Sequence, residues 1–279
     1  MSQSIVEFLD KSRTINSRTH TTSTAPAPTL TPATIAATMT CKIIVDIIHS
    51  EIADPNKLFF LNARDDASLI RLSKGLLPFL SQKQKALANY SHQGETQTVQ
   101  VSDKVKALWR DKLDAVNTSL DVLLNAEKSE AQLDEQSKGS RLAFFEAARQ
   151  AWEINLKVVL TQLSNEIIGP FALGMLASLI LTSVNNSSGS PGGQFSIADL
   201  HLAGWLTRVV MLVGGTKDDN GEIVVVKLEK YIGGAFIIPR DFPVDQVRAE
   251  DGKQTKIGAF WDTIRERPGW KKVYADGLY

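Results

Sequence analysis

Apolar residues recur at helical intervals over two long stretches of this 279-residue chain, and that periodicity leaves little room for a β fold. In residues 102–127, Trp109, Leu113, Val116, Leu120 and Leu123 alternate steps of four and three. Ser102 and Asp103 stand where an N-cap and a first-turn acid belong. Residues 138–167 repeat the pattern with Phe145, Ala148, Trp152, Leu156, Val159 and Leu163. The polar run between them, SEAQLDEQSKGS, reads as a solvated connection. Residues 65–91 predict a further helix, with a break or kink at Gly75 and Pro78. In residues 33–53, Ile35, Met39, Ile43 and Ile47 fall on one row and predict a helix buried on most of its circumference, with Lys42, Asp46 and His49 on its polar face. The β-rich runs VVMLV and EIVVVKL also fit helices, and the second ends in the glycine pair Gly233-Gly234 expected after a helix. The expected architecture is all-α, a bundle of about seven or eight helices.

Composition narrows the function classes. Thirty-one basic residues balance 31 acidic ones, which argues against a nucleic-acid binder relying on a general basic field. One cysteine, Cys41, excludes an internal disulfide and reads as a small buried hydrophobe. The four histidines, His20, His49, His92 and His201, show no metal-ligand spacing, so no metal site is expected; His49 suits the end of its helix as a cation on the dipole. Glu7 and Asp10 fall where a signal peptide needs an apolar core. Ile167 to Val184 is uncharged, but Gly169, Pro170 and Gly174 at its start argue against a membrane span. A cytoplasmic protein without a membrane or nucleic-acid partner is the expectation. Gly214-Gly215 and Gly233-Gly234 are turn punctuation, since no phosphate-loop pattern occurs. Arg265, Arg267, Lys271 and Lys272 read as a solvated basic face.

The sharpest local signal is the run from Gln194 to Leu206, QFSIADLHLAGWL. Ser196 and Asp199 are three apart, as in a capping box, with Phe195 before the cap and Leu200 after the box as a hydrophobic staple. The box says that a helix starts here; neither residue is read as catalytic.

In its wider setting this run resembles part of the C-terminal helical domain of the glutathione transferase superfamily. The carrying motifs are GPF-x-LG at 169–174, FSIADLHLAGWL at 195–206 and FWDTIRERPGWKKVY at 260–274, in the family's order and closest to its fungal members. The resemblance extends from about residue 33 to the C-terminus. It implies that Ser196 and Asp199 are a folding determinant, and that Phe260, Trp261, Pro268 and Trp270 belong to the closing helices. Residues 1–13, with Ile5, Phe8 and Leu9, resemble the last helix of the family's thioredoxin-like half, and 14–32, rich in Ser, Thr, Ala and Pro, form a linker. By the same resemblance Ser2 matches the family serine that binds the γ-glutamyl carboxylate of glutathione, here without its scaffold. Helical domain 33–279 contains an atypical insertion, 175–194, expected to have low order across 183–194.

The resemblance implies a glutathione transferase-like protein without the half that activates the thiol. The expectation is little or no conjugating activity, no catalytic residue, no tightly bound cofactor, and glutathione as co-substrate only in the intact family. A non-catalytic protein-interaction module of the same superfamily is the alternative. A homodimer or protein partner is expected through exposed apolar surface, and the N-terminal segment is expected as an extended, loosely docked arm.

Overall fold

Short polar caps set where the helices begin in the computed structural model, which describes residues 30, 32, 34–96, 98–173, 195–243 and 253–278. Thr34 opens α1 (Ile35–Ile48), Asp65 opens α3 (Asp66–Glu95) and Ser102 opens α4 (Asp103–Leu124). Asp134 opens α5 (Glu135–Arg149), Ser196 opens α7 (Ile197–Leu212), Asn220 opens α8 (Gly221–Ile232) and Thr255 opens α9 (Lys256–Arg265). In each case the side-chain oxygen accepts from the amide three residues on, which satisfies one of the helix's orphan donors. The remaining helices are α2 (Pro55–Phe60), α6 (Leu156–Glu166) and α10 (Pro268–Val273), and a π-type turn at Gln150–Asn155 precedes α6. The described residues are therefore all-α, apart from an antiparallel ladder of β1 (Phe242–Pro243) and β2 (Lys253–Gln254). They contain ten α-helices rather than seven or eight, because short pieces such as α2 and α10 carry too few residues to show a period.

These elements form two compact units. Asn56–Trp152 is built on α3 and α4, which run antiparallel: Tyr90 meets the Trp109 ring, and further along Gln84 Nε2 donates to Asn117 Oδ1 at 2.7 Å. Leu69, Leu76, Leu80 and Leu87 of α3 bury against Val116, Leu120 and Leu123 of α4. Each leucine of this kind contributes roughly 1.5–3 kcal/mol by leaving water. Of the expected break or kink at Gly75 and Pro78, the break does not occur, since α3 runs on past both. Both residues are exposed while Leu76 and Leu80 face the core, so the helical hydrogen bond that Pro78 forgoes lies on the exposed side of α3. The connection after α4 is also shorter than expected: Glu130–Gln132 forms a 3-10 turn, and α5 has begun by Glu135.

The other unit comprises the described parts of residues 1–55 and 153–279. Helix α1 packs against α6 and α7, and α8 packs against α9. Gly221 and Gly258 permit the second contact: a Cβ on Gly221 would stand 2.2 Å from the Gly258 carbonyl oxygen. The Gly221 amide donates to Asp262 Oδ1 at 2.8 Å, which ties the start of α8 to α9. Phe260 and Trp261 are buried, and the Trp261 indole donates to the Asp219 carbonyl at 2.8 Å.

Helix α1 turns a different face to the core from the one expected. Cys41, Ile44, Val45 and Ile48 are buried, whereas Ile35, Met39 and Ile43 are 83%, 61% and 41% exposed. At about 100° per residue, a strict i, i+4 row drifts by about 40° each step and winds round the helix, while a three-and-four alternation stays on one side. The N-terminal helix at 1–13, the linker up to Thr29, Ser2 and the whole of the 175–194 insertion lie outside the described residues. One backbone contact marks the linker's end: the Ile197 amide donates to the Leu30 carbonyl at 3.1 Å. Among the described residues no helix is long and apolar enough to cross a membrane.

Candidate functional site

The capping box at the start of α7 is a closed, buried network. Ser196 has extended backbone angles, φ −116° and ψ 171°, and its Oγ accepts from the Asp199 amide at 3.4 Å. Asp199 Oδ2 accepts from the Ser196 amide at 2.8 Å and from the Ser196 hydroxyl at 2.6 Å. Its other oxygen, Oδ1, accepts from the Ala172 amide at 2.7 Å. One carboxylate thus closes the helix and pins the chain around the Gly169–Phe171 turn. Gly169 is required there: its φ is +78°, and a Cβ would come within 2.8 Å of the Phe242 ring. Burial pushes the Asp199 carboxyl above its ordinary range, while the hydrogen bonds from Ala172 and Ser196 and the nearby Arg267 charge pull it down.

Beside this network lies an apolar groove of about 480 Å³ between α7 and α10, walled chiefly by Phe195, Leu200, Gly204, Trp270 and Tyr274. Such a volume lies within the range of small-molecule sites. The cation among its described lining residues is Arg267, whose guanidinium lies 4.2 Å from the centre of the Phe195 ring and 5.8 Å from that of Phe171. The Trp270 indole donates to Thr207 Oγ1 at 3.4 Å and packs on Trp261 and Tyr274. Open space surrounds Gly204, where even a Cβ would meet no atom within 4 Å.

The expected basic face divides according to what each residue touches. Arg265 is half-buried and donates to the Lys217 carbonyl at 3.2 Å and to the Asp219 carbonyl at 2.5 Å, while Arg267 covers the two phenylalanines. Lys271 pairs with Glu266 on the surface and Lys272 is exposed. Cys41 is buried in α1. His49 is the C-cap of α1, and its Nε2 lies 2.8 Å from Nδ1 of His201 on α7, a juxtaposition invisible in sequence because 152 positions separate them. Arg240 bridges Glu229 and Glu222 of α8 at 2.8 and 3.0 Å. These carboxylates hold its guanidinium above the usual range. No group of three or more metal-ligating side chains occurs among the described residues.

The groove can enclose the apolar body of a small molecule and offer one positive charge at its edge. Its described lining contains no cysteine or histidine, and Tyr274 is the one titratable nucleophile on that wall. No family model, curated protein or solved structure matches the chain.

Proposed function

We propose that the chain is the helical half of a glutathione transferase-like scaffold, with the groove between α7 and α10 as its ligand-binding wall and little or no conjugating activity of its own. The carrying observation is the buried network of Ser196, Asp199 and Ala172, which joins the GPF-x-LG and FSIAD segments through one carboxylate. The groove's aromatic lining and single guanidinium favour an aromatic organic anion. Such a ligand gains apolar burial along Phe195 and Trp270 and a counter-charge at Arg267.

The test is a fluorescence titration with an anilinonaphthalene sulfonate, following the probe's own emission. Gly204→Leu fills the groove without a clash at its Cβ. The expected result is saturable binding that Gly204→Leu weakens by about tenfold, equivalent to ~1.4 kcal/mol. Equal affinity in a folded Gly204→Leu variant contradicts the assignment.

A second reading, a non-catalytic protein-interaction module of the same superfamily, is favoured by the exposed row of Ile35, Met39 and Ile43 on α1. It requires no ligand in the groove, so the same titration separates the two.

A further inference from the structure

We propose that His49 and His201 form a two-imidazole chelate for a divalent ion that prefers square-planar coordination, copper(II) foremost. The pair lies within one unit, where α1 and α7 pack together. His49 is exposed and His201 half-buried, so a hydrated ion reaches the pair from solvent on the His49 side. The facing nitrogens are 2.8 Å apart, and the rings stand edge-on with centroids 4.8 Å apart and planes at 76°.

That separation selects among metals. With metal–imidazole bonds of about 2.0–2.1 Å, two nitrogens at this distance subtend roughly 85° at a shared ion. This is close to the cis angle of a square-planar or octahedral site. A tetrahedral ion would need the nitrogens about 3.4 Å apart, so copper(II) and nickel(II) fit the observed separation more closely than zinc, and any shared ion requires both rings to turn their lone pairs off the line joining the two nitrogens. Copper(II) also stands highest in the divalent affinity order.

Binding requires no oxidant or reductant. In the neutral pair one facing nitrogen carries a proton and donates it to the other. That proton moves to the second nitrogen of its own ring, both lone pairs turn to the ion, and two waters leave the hydrated metal. Waters keep the remaining positions.

The experiment is titration of the full chain with copper(II) sulfate at pH 7.5 in a non-coordinating buffer, by calorimetry and electron paramagnetic resonance. The expected result is one equivalent bound, with nitrogen hyperfine structure from two imidazoles. His49→Ala removes an exposed side chain at a helix end, with circular dichroism checking that it folds; it should weaken binding by roughly 100-fold, the loss of an intramolecular second ligand. His201→Asn should do the same, with circular dichroism checking that it folds, and His92→Ala should change nothing. Undiminished affinity in His49→Ala, or a spectrum lacking the paired nitrogens, overturns the proposal.

Discussion

Asp199→Ala should destabilise the protein by about 3–4 kcal/mol, because three donors lose their acceptor at once. The Ser196 amide, the Ser196 hydroxyl and the Ala172 amide all point at one buried carboxylate, and an alanine methyl replaces none of those contacts. The damage should spread beyond the first turn of α7, since the Ala172 contact also fixes the segment that follows α6. Hydrogen exchange should show lost protection at Ile197–Leu202 together with Phe171–Leu173. Loss confined to α7 would mean that the Ala172 contact is dispensable.

The same carboxyl makes a pH-dependent claim. Burial raises its native pKa above the ordinary value of 3.8, so the native state holds this proton more tightly than the unfolded chain. Its ionisation-linked stabilisation is complete below the unfolded value and is lost as pH rises through the native one. Asp199→Asn carries no such proton. The stability gap between the natural protein and Asp199→Asn, measured by urea unfolding, should therefore be wider at pH 4 than at pH 8. A gap that widens with pH would place the native pKa below the ordinary value.

The second large effect belongs to the α3–α4–α5 unit. Arg141 is nearly buried, and its guanidinium donates to the Asn125 carbonyl, to the Lys128 carbonyl at 3.0 Å and to Asp66 Oδ1 at 3.2 Å. Asn125 is the C-cap of α4, so Arg141 closes that helix from a neighbouring one. Asp66 is largely exposed, and its attraction is screened by solvent. The two carbonyls matter more, because without Arg141 both lose a charged donor in a part-buried position. Arg141→Met keeps the aliphatic stem and should cost about 2–3 kcal/mol. Faster amide exchange should be confined to residues 103–149, with Ile197–Leu212 unchanged. A cost below about 0.5 kcal/mol would show that water replaces the guanidinium without penalty.

What the sequence disclosed follows from the range of the interactions. The caps at Ser102 and Ser196 and the stripes through Val116, Leu120, Leu156 and Val159 are local, with partners within one or two turns, and the structure places them as read. Helix α1 misled because it is apolar nearly all round: the row Ile35, Met39, Ile43 competes with Cys41, Ile44, Val45, Ile48, and only packing against α6 and α7 decides. Pro78 suggested a break because its missing donor is local, while the leucines that override it act through contact with α4. Arg265 and Arg267 were read by charge alone; sequence shows the charge but not the carbonyls and aromatic rings that receive it. The groove is assembled from residues 195–204 and 264–274, a separation no local pattern bridges.

The central proposal concerns sulfur. Forming a thiolate near neutral pH means lowering a thiol pKa from about 8.5 with a donor or positive field aimed at the sulfur atom. The groove's described wall supplies an apolar surface and one guanidinium already engaged with Phe195. The most direct measurement is steady-state conjugation of glutathione to a chloronitrobenzene electrophile by the purified chain alone at about pH 6.5, where the uncatalysed reaction is slow because little thiolate is present. The account predicts a rate indistinguishable from that of buffer, even while the groove binds an aromatic anion. Saturable turnover in glutathione, abolished by a change within the chain, would contradict it.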